Sequence, residues 1–374
     1  MKLTPKERLL LTLRCEQTGS VPISPLGINE FEIDRNNPAY THFKPILKAL
    51  DKHGTPFVRS WFWTPPLLID PKSCGLKTET RKEGVIEYSR ISMQTPKGEL
   101  YSLGKKDPRV SNSPAQEKAF IENEEDLDKA LSLATLPTYL PDMSETRALQ
   151  ERIGDNGLVC MHSISSPHNL TAGLCNYEFY LMYAISAGEG MRRICETNLR
   201  RLKEMLSYLI DQGAGPVFRL HNIEGYTTPM LPPDWASQWI VPYDKELVSM
   251  IHQAGCYADN HCHGRLRDQV NNFLEIGVDC INCVEPPPAN DIDLAELKEK
   301  TGGKICFYGY IQMEDLERCT SVEIRKLTRE ALAMSGGRGF ILSPAATYYT
   351  SEISKTFSDN LIAMIEEGSA YNRE

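Results

Sequence analysis

From residue 157 onward the chain alternates strand-like and helix-like segments joined by short links, and no other feature restricts its fold as much. Gly157–Ser163, Pro216–His221, Cys256–His261, Val278–Val284, Lys304–Gly309 and Gly339–Leu342 read as buried strands. Helical patterns fall between them. The clearest is Met191, Ile194, Leu199, Leu202, Met205, Leu206 and Leu209, recurring at helical spacing and ending at Gly213. Repeated strand–helix alternation is the pattern of a parallel sheet covered by helices. With Val21–Ser24 and Phe57–Trp63 added the strand count reaches eight, so a single (β/α)8 TIM barrel is expected over residues 1–374. No Gly-x-Gly-x-x-Gly turn follows the first strand and no Walker-type loop occurs, which disfavours a doubly wound nucleotide-binding sheet.

Two additions to the barrel are legible. Thr4-Pro-Lys-Glu7 is a capping box with proline at the first helical position, which starts a helix within an N-terminal extension over residues 1–20. Residues 76–105 switch to Glu/Lys/Thr-rich alternation with turn signals at Lys82–Gly84 and Thr95–Gly98, the pattern of an antiparallel β excursion. Further helices are expected over residues 42–53, 122–134, 144–153, 234–255, 265–276, 293–301, 321–334 and 356–367. Trp61 and Trp63 share a face of their strand, as core packing or as one wall of a pocket for a flat substrate.

Composition sets outer limits. A formal charge of −9 with no Lys/Arg block disfavours a nucleic-acid partner. Met1–Thr4 leads straight into a charged amphipathic helix, and no apolar run reaches membrane-spanning length. A soluble, cytoplasmic protein is expected, with room for a homodimer. The eleven cysteines are scattered and mostly within apolar segments, as buried thiols in a reducing compartment would be. Cys280-Ile-Asn-Cys283 formally reads C-x-x-C, but in a regular strand its sulfurs face opposite sides, so it reads as structural.

Catalytic groups of a barrel lie where its strands end, and the unusual residues gather there. One strand ends in His221 with Glu224 just beyond; the next in His261 and His263; the next in Glu285; the next in Gly309-Tyr310; the last in Ser343–Tyr348. His261 and His263, two apart in an extended segment, point the same way and can share one ion. The plainer alternatives are imidazoles that only hydrogen-bond their neighbours and glutamates that only cap loops.

These residues resemble the uroporphyrinogen decarboxylase superfamily, and within it the zinc-containing cobalamin-dependent methyltransferases. The resemblance is carried by His261-Cys-His-Gly264, Glu285, Lys298 to Gly302, Gly309-Tyr-Ile311 and Leu342–Ala346, with Arg8–Arg14 and Val21-Pro22 fitting the superfamily's opening. The spacing is also similar to that of cobalamin-independent methionine synthase, a zinc barrel, in which a glutamate follows a His-x-Cys pair as Glu285 follows His263, 22 positions on. The relatives have cysteine at the position of His263 and a late cysteine at Ala345 or Ala346. Both thiolates of the family are thus missing from their usual places.

The resemblance implies a zinc ion held by His261, His263 and Glu285 with one open position. A site poor in thiolate polarises oxygen better than it activates a thiol, so a methyl ether or methoxy-aromatic donor is expected, with the methyl group passing to or from a corrinoid on a separate protein. His221, Glu224 and Tyr310 are the candidate catalytic groups, Glu224 or Tyr310 orienting the substrate or protonating a departing alkoxide. Asp259–Gly264 also fits the Asp-x-His-x-x-Gly pattern of cobalamin modules, but no Ser-x-Leu follows. The alternatives are a decarboxylase and a noncatalytic ligand-binding barrel. Acidic Gly27–Asp34, standing where the decarboxylases carry an arginine-rich motif, would repel a polyanionic porphyrinogen.

Overall fold

Thr4 caps the first helix, Pro5–Leu13, from both directions: its hydroxyl accepts from the Glu7 amide at 3.2 Å, and the Glu7 carboxylate accepts from the Thr4 amide at 2.8 Å. The helix buries Leu9 and Leu13 in the main core. The computed structural model describes residues 3–110, 114–186, 188–221, 224–226, 228, 230–348 and 353–371. Among them the strands are β1 (Phe57–Ser60), β2 (Lys77–Glu83), β3 (Ile86–Thr95), β4 (Gly98–Lys106), β5 (Ala115–Lys118), β6 (Leu158–Ser165), β7 (Val217–His221), β8 (Tyr257–His261), β9 (Cys280–Val284), β10 (Cys306–Ile311) and β11 (Phe340–Pro344). Contacts divide the chain into two compact units.

The first unit comprises Met1–Trp61, Met143–Ile164 and Gly213–Glu374. It carries a seven-stranded sheet in the order β1-β6-β7-β8-β9-β10-β11, and every pairing recorded within it is parallel. Helices follow the strands as the alternation requires, for example Ser321–Ser335 after β10 and Lys355–Tyr371 after β11. The eighth expected strand, Val21–Ser24, makes one parallel bridge, Ile23 to Leu342. Its backbone bonds to β11 are Ser24 N to Leu342 O at 3.0 Å and Leu342 N to Pro22 O at 2.9 Å. Pro22 has no amide to donate on this edge, and the next amide along it, Leu26 N, donates to the Ser343 hydroxyl at 3.1 Å in place of a backbone carbonyl. The helix expected over 234–255 is two, Pro233–Trp239 and Val241–Gln253, parted at Ile240 just before Pro242.

Parallel neighbours in register present their side chains to the same face, and here that face is layered. Leu158, Val217, Cys280, Cys306 and Ile341 form an apolar layer near the strand starts, joined by Phe57 and Tyr308 with ring centroids 5.7 Å apart. Each fully buried large apolar side chain contributes about 2 kcal/mol. One layer on, Arg219 and Asp259 sit opposite each other in register and form an ion pair at 2.5 Å with side chains 1% and 0% exposed. Burial works against the Arg219 charge, and the Asp259 carboxylate more than offsets it, so the guanidinium pKa is raised. The strand-end layer above is polar.

The second unit, Phe62–Asp142 and Ser165–Gln212, contains the antiparallel excursion in the order β2-β3-β4-β5. Its first two turns fall at the expected Gly84 and Gly98, both with positive φ. Its fourth strand, β5, extends past the expected end. The long helix Glu189–Asp211 buries Arg201 completely, where the guanidinium donates to the carbonyls of Leu67 and Leu133. Helices Pro167–Leu174 and Tyr177–Ser186 were not anticipated, because the second is apolar around its whole circumference and shows no helical stripe. Among the described residues no helix is long and apolar enough to cross a membrane.

Candidate metal centre

At the C-terminal ends of β8 and β9, one donor atom from each of His261, His263 and Cys283 lies within 4.8 Å of the other two. The histidines were expected there; the thiol was not. Cys283 reaches them because β9 carries an extra residue. Asn282 pairs with Tyr308 and Val284 with Gly309, leaving Cys283 without an opposite number, at φ +66. A bulge of this kind breaks the two-residue alternation, so Cys283 and Cys280 both face the layered side. The structural reading of Cys283 is thereby corrected. The neighbouring strand makes room with Gly309 at φ +138, where a Cβ would stand 2.8 Å from the Val284 carbonyl oxygen.

Glu285, expected as the third ligand, lies beside the trio. Its carboxylate accepts from the Gly264 amide at 3.0 Å and from Gln312 Nε2 at 3.3 Å, and it lies 3.5 Å from His263 Nδ1. It therefore stands against His263, while the thiol joins the two histidines in the trio. Ala345 is fully buried, with its amide donating to Ile311 O, and supplies no side-chain ligand. Tyr310 was expected as a candidate catalytic group. Its backbone takes φ +92 and its hydroxyl accepts from the Leu294 amide at 3.1 Å, which secures the start of the helix Leu294–Lys300. Glu224 does converge on the trio: one carboxylate oxygen accepts from the His263 amide at 2.9 Å and lies 3.8 Å from His261 Nε2. His221 does too, with its ring centroid 4.8 Å from that of His261.

The layer beneath fixes which nitrogen of His261 is available. Asp259, held by Arg219, can only accept, so it takes the Asn282 amide N–H at 2.9 Å. Asn282 must then offer its carbonyl oxygen, which lies 2.8 Å from His261 Nδ1. The proton therefore sits on Nδ1 and the Nε2 lone pair faces the site, the usual arrangement behind a metal-ligating histidine. Each partner is set by register, since Arg219 pairs with Asp259 and His261 with Asn282.

The electrostatics suit a cation. Burial pushes the Cys283 thiol up, but hydrogen bonds from His261 and His263 outweigh it and hold the pKa down to about 7. Burial opposes charge on His263, while Cys283 and Glu285 raise it to about 10. Burial opposes charge on His261 too, while Cys283 and Glu224 raise its pKa; a bound cation would take the place of protons at this cluster. Two imidazoles and one thiolate are donors of the kind zinc takes, and three protein ligands leave a fourth position open. Burial, with His261 and Arg219 adding, lowers His221 to about 3, so this ring is neutral.

Fold and site together define a parallel α/β protein whose polar chemistry sits at the C-terminal ends of its strands. More particularly, the family described as uroporphyrinogen decarboxylase (URO-D) matches residues 99–367, and the chain belongs to it. A methyltransferase from Methanosarcina mazei has a similar fold at a TM-score of 0.62, with 14% identity over 99% of each chain. A B12-independent methionine synthase from Shewanella sp. W3-18-1 aligns at a TM-score of 0.48 and 12% identity, over 97% of this chain and 98% of its own. Comparison with curated protein sequences finds no match.

Proposed function

We propose that this protein transfers a methyl group from a small, oxygen-linked methyl donor to a corrinoid carried by a separate protein, at a zinc-type ion held by His261, His263 and Cys283. The observation that carries this reading is the convergence of those three donors, with the His261 lone pair directed by Asn282. When bound, the ion supplies a Lewis acid that draws electron density from the donor oxygen. The chain's own groups do the rest. The methyl–oxygen bond breaks with its electron pair remaining on oxygen, and the methyl carbon takes the electron pair of cobalt(I), leaving methylcobalt(III) and an alkoxide that gains one proton. Glu224, beside His261 Nε2, is assigned to hold that proton and orient the donor. Glu285 keeps His263 in place through its contact at 3.5 Å. The same reading takes the Ile23 bridge as the eighth position of a (β/α)8 barrel spanning the chain.

The test combines elemental analysis with methylation of reduced cobalamin from a panel of methoxyarenes, methanol, methylamines and methyl thiols. About one zinc per chain is expected for the native protein and little for Cys283→Ala, with cobalt methylated from an oxygen-linked donor. Activity surviving exhaustive chelation with no ion recovered would sink the reading. Carbon dioxide released from a porphyrinogen, with cobalt left unmethylated, would favour the decarboxylase alternative instead.

A further inference from the structure

Between the loop at residues 25–35 and the helix Lys44–His53 lies a cleft of about 300 Å³, partly open to solvent. Ile23, Ile28, Leu47 and Leu50 give it an apolar lining. The cleft belongs to the helix layer and not to the layered interior. Ile23 faces the helix Lys355–Tyr371, where a Cβ added at Gly368 would stand 3.1 Å from Ile23 Cδ1, whereas Leu26 and Phe57 nearby join the main core. None of the metal donors lines it.

The charges of the cleft stand at its rim and pair with one another. Arg35 Nη1, on the loop, donates to Asp51 Oδ2, on the helix, at 2.9 Å, and Arg35 Nη2 lies 3.7 Å from Glu30 Oε2. These side chains are between 38 and 49% exposed. An ion pair so open to water adds little to stability, so the rim can part to admit a ligand at little cost to the fold.

Asn29, also lining the cleft, is only 5% exposed. Its Oδ1 accepts from the Phe31 and Glu32 amides, both at 3.0 Å. Those two bonds settle which end of the side-chain amide is oxygen, and the planar amide directs Nδ2 away from the turn. Nδ2 is buried and has no hydrogen-bond partner among the described residues. A buried N–H left unpaired costs free energy, which an acceptor brought in by a ligand would recover. With the rim charges already matched, a charged ligand gains nothing that an uncharged one lacks.

We propose that this cleft is a second binding site, for a small uncharged molecule whose carbonyl oxygen accepts from Asn29 Nδ2 and whose apolar body lies against Ile28, Leu47 and Leu50. A concave, mostly apolar lining with one placed polar group is the usual make-up of a small-molecule site. The site shares no residue with the methyl-transfer reading and does not depend on it.

The test is a nuclear magnetic resonance titration of cyclopentanone into the full-length protein, labelled at isoleucine and leucine methyl groups and at asparagine side chains. Cyclopentane serves as the probe without an oxygen. In the native protein the ketone should shift the Ile28 and Leu47 methyl resonances together with the Asn29 side-chain amide, to saturation. Asn29→Asp keeps an acceptor for the Phe31 and Glu32 amides and removes the donor. It should bind cyclopentanone about tenfold more weakly and cyclopentane as the native protein does. Leu50→Phe, which fills the cleft from the helix, should bind neither probe, and zinc content should be the same in both variants. Ile28 and Leu47 methyl groups that ignore the ketone overturn the proposal, whether or not a water is then found on Asn29 Nδ2. Equal ketone binding by the native protein and Asn29→Asp overturns it too, as does binding that survives Leu50→Phe.

Discussion

Asn282 is fully buried and never touches the ion's expected position, yet it decides the tautomer of a ligand. Replacing it with leucine keeps the branched shape and removes the acceptor for His261 Nδ1–H together with the donor to Asp259. Zinc affinity should then fall by about 10–100-fold with the fold retained, as competition with a coloured chelator would measure. Unchanged affinity would mean that the orientation of His261 is set elsewhere. The Cys283 thiol gives a pH dependence whose sign is fixed. Its pKa in the metal-free protein is about 7, so below that value the proton competes with the ion. Zinc occupancy at a subsaturating concentration should drop between pH 8 and pH 6, by about tenfold in affinity per pH unit from the His263 proton alone and more steeply below pH 7 as the thiol is protonated as well. Dialysis against buffered zinc across that range checks it; a slope that does not steepen near pH 7 would exclude the thiolate as a ligand.

At the level of single elements, β9 and β10 form one device. The extra residue of β9 needs a neighbour without a Cβ, and Gly309 supplies it. Gly309→Ala places a methyl group 2.8 Å from the Val284 carbonyl oxygen at a φ of +138 that alanine avoids. The substitution should cost about 1–3 kcal/mol, read as a lower urea midpoint, and should reduce zinc content as well. The same device marks where the sequence stopped being legible. The strand–helix alternation, the capping box and the turns at Gly84 and Gly98 rest on local patterns and were readable. His221, Glu224, His261 and His263 were readable as well, because strand ends can be located without knowing side-chain direction. Cys283 was not, since the alternation rule assigns every residue of a strand to a face and a bulge breaks that rule at one position. One clue was present: Cys283 stands two residues before Glu285, as His261 stands two before His263. The contact of Tyr310 with the Leu294 amide was not legible for a related reason, since alternation says nothing of a strand residue at positive φ.

Across the whole molecule, stability and the candidate chemistry occupy different layers. The apolar layer near the strand starts needs no ion, and the Arg219–Asp259 pair forms without one. Exhaustive chelation should therefore leave the far-ultraviolet circular dichroism unchanged and lower the unfolding temperature only by the lost binding energy, about 2.7 kcal/mol when free zinc stood at 100 times its Kd. A protein that unfolds outright on chelation would show the ion to be structural. The arrangement of β9 bears on how such a chain can change over generations. Hydrogen-bonded pairing runs from Cys280 to Asn282, passes over Cys283 and resumes at Val284. The thiol thus stands on the one residue of the strand that the sheet does not use. Loss of a single codon would remove a metal donor and leave behind a regular ladder, so within one fold a lineage could gain or abandon the ion by an insertion or deletion too small to disturb anything else.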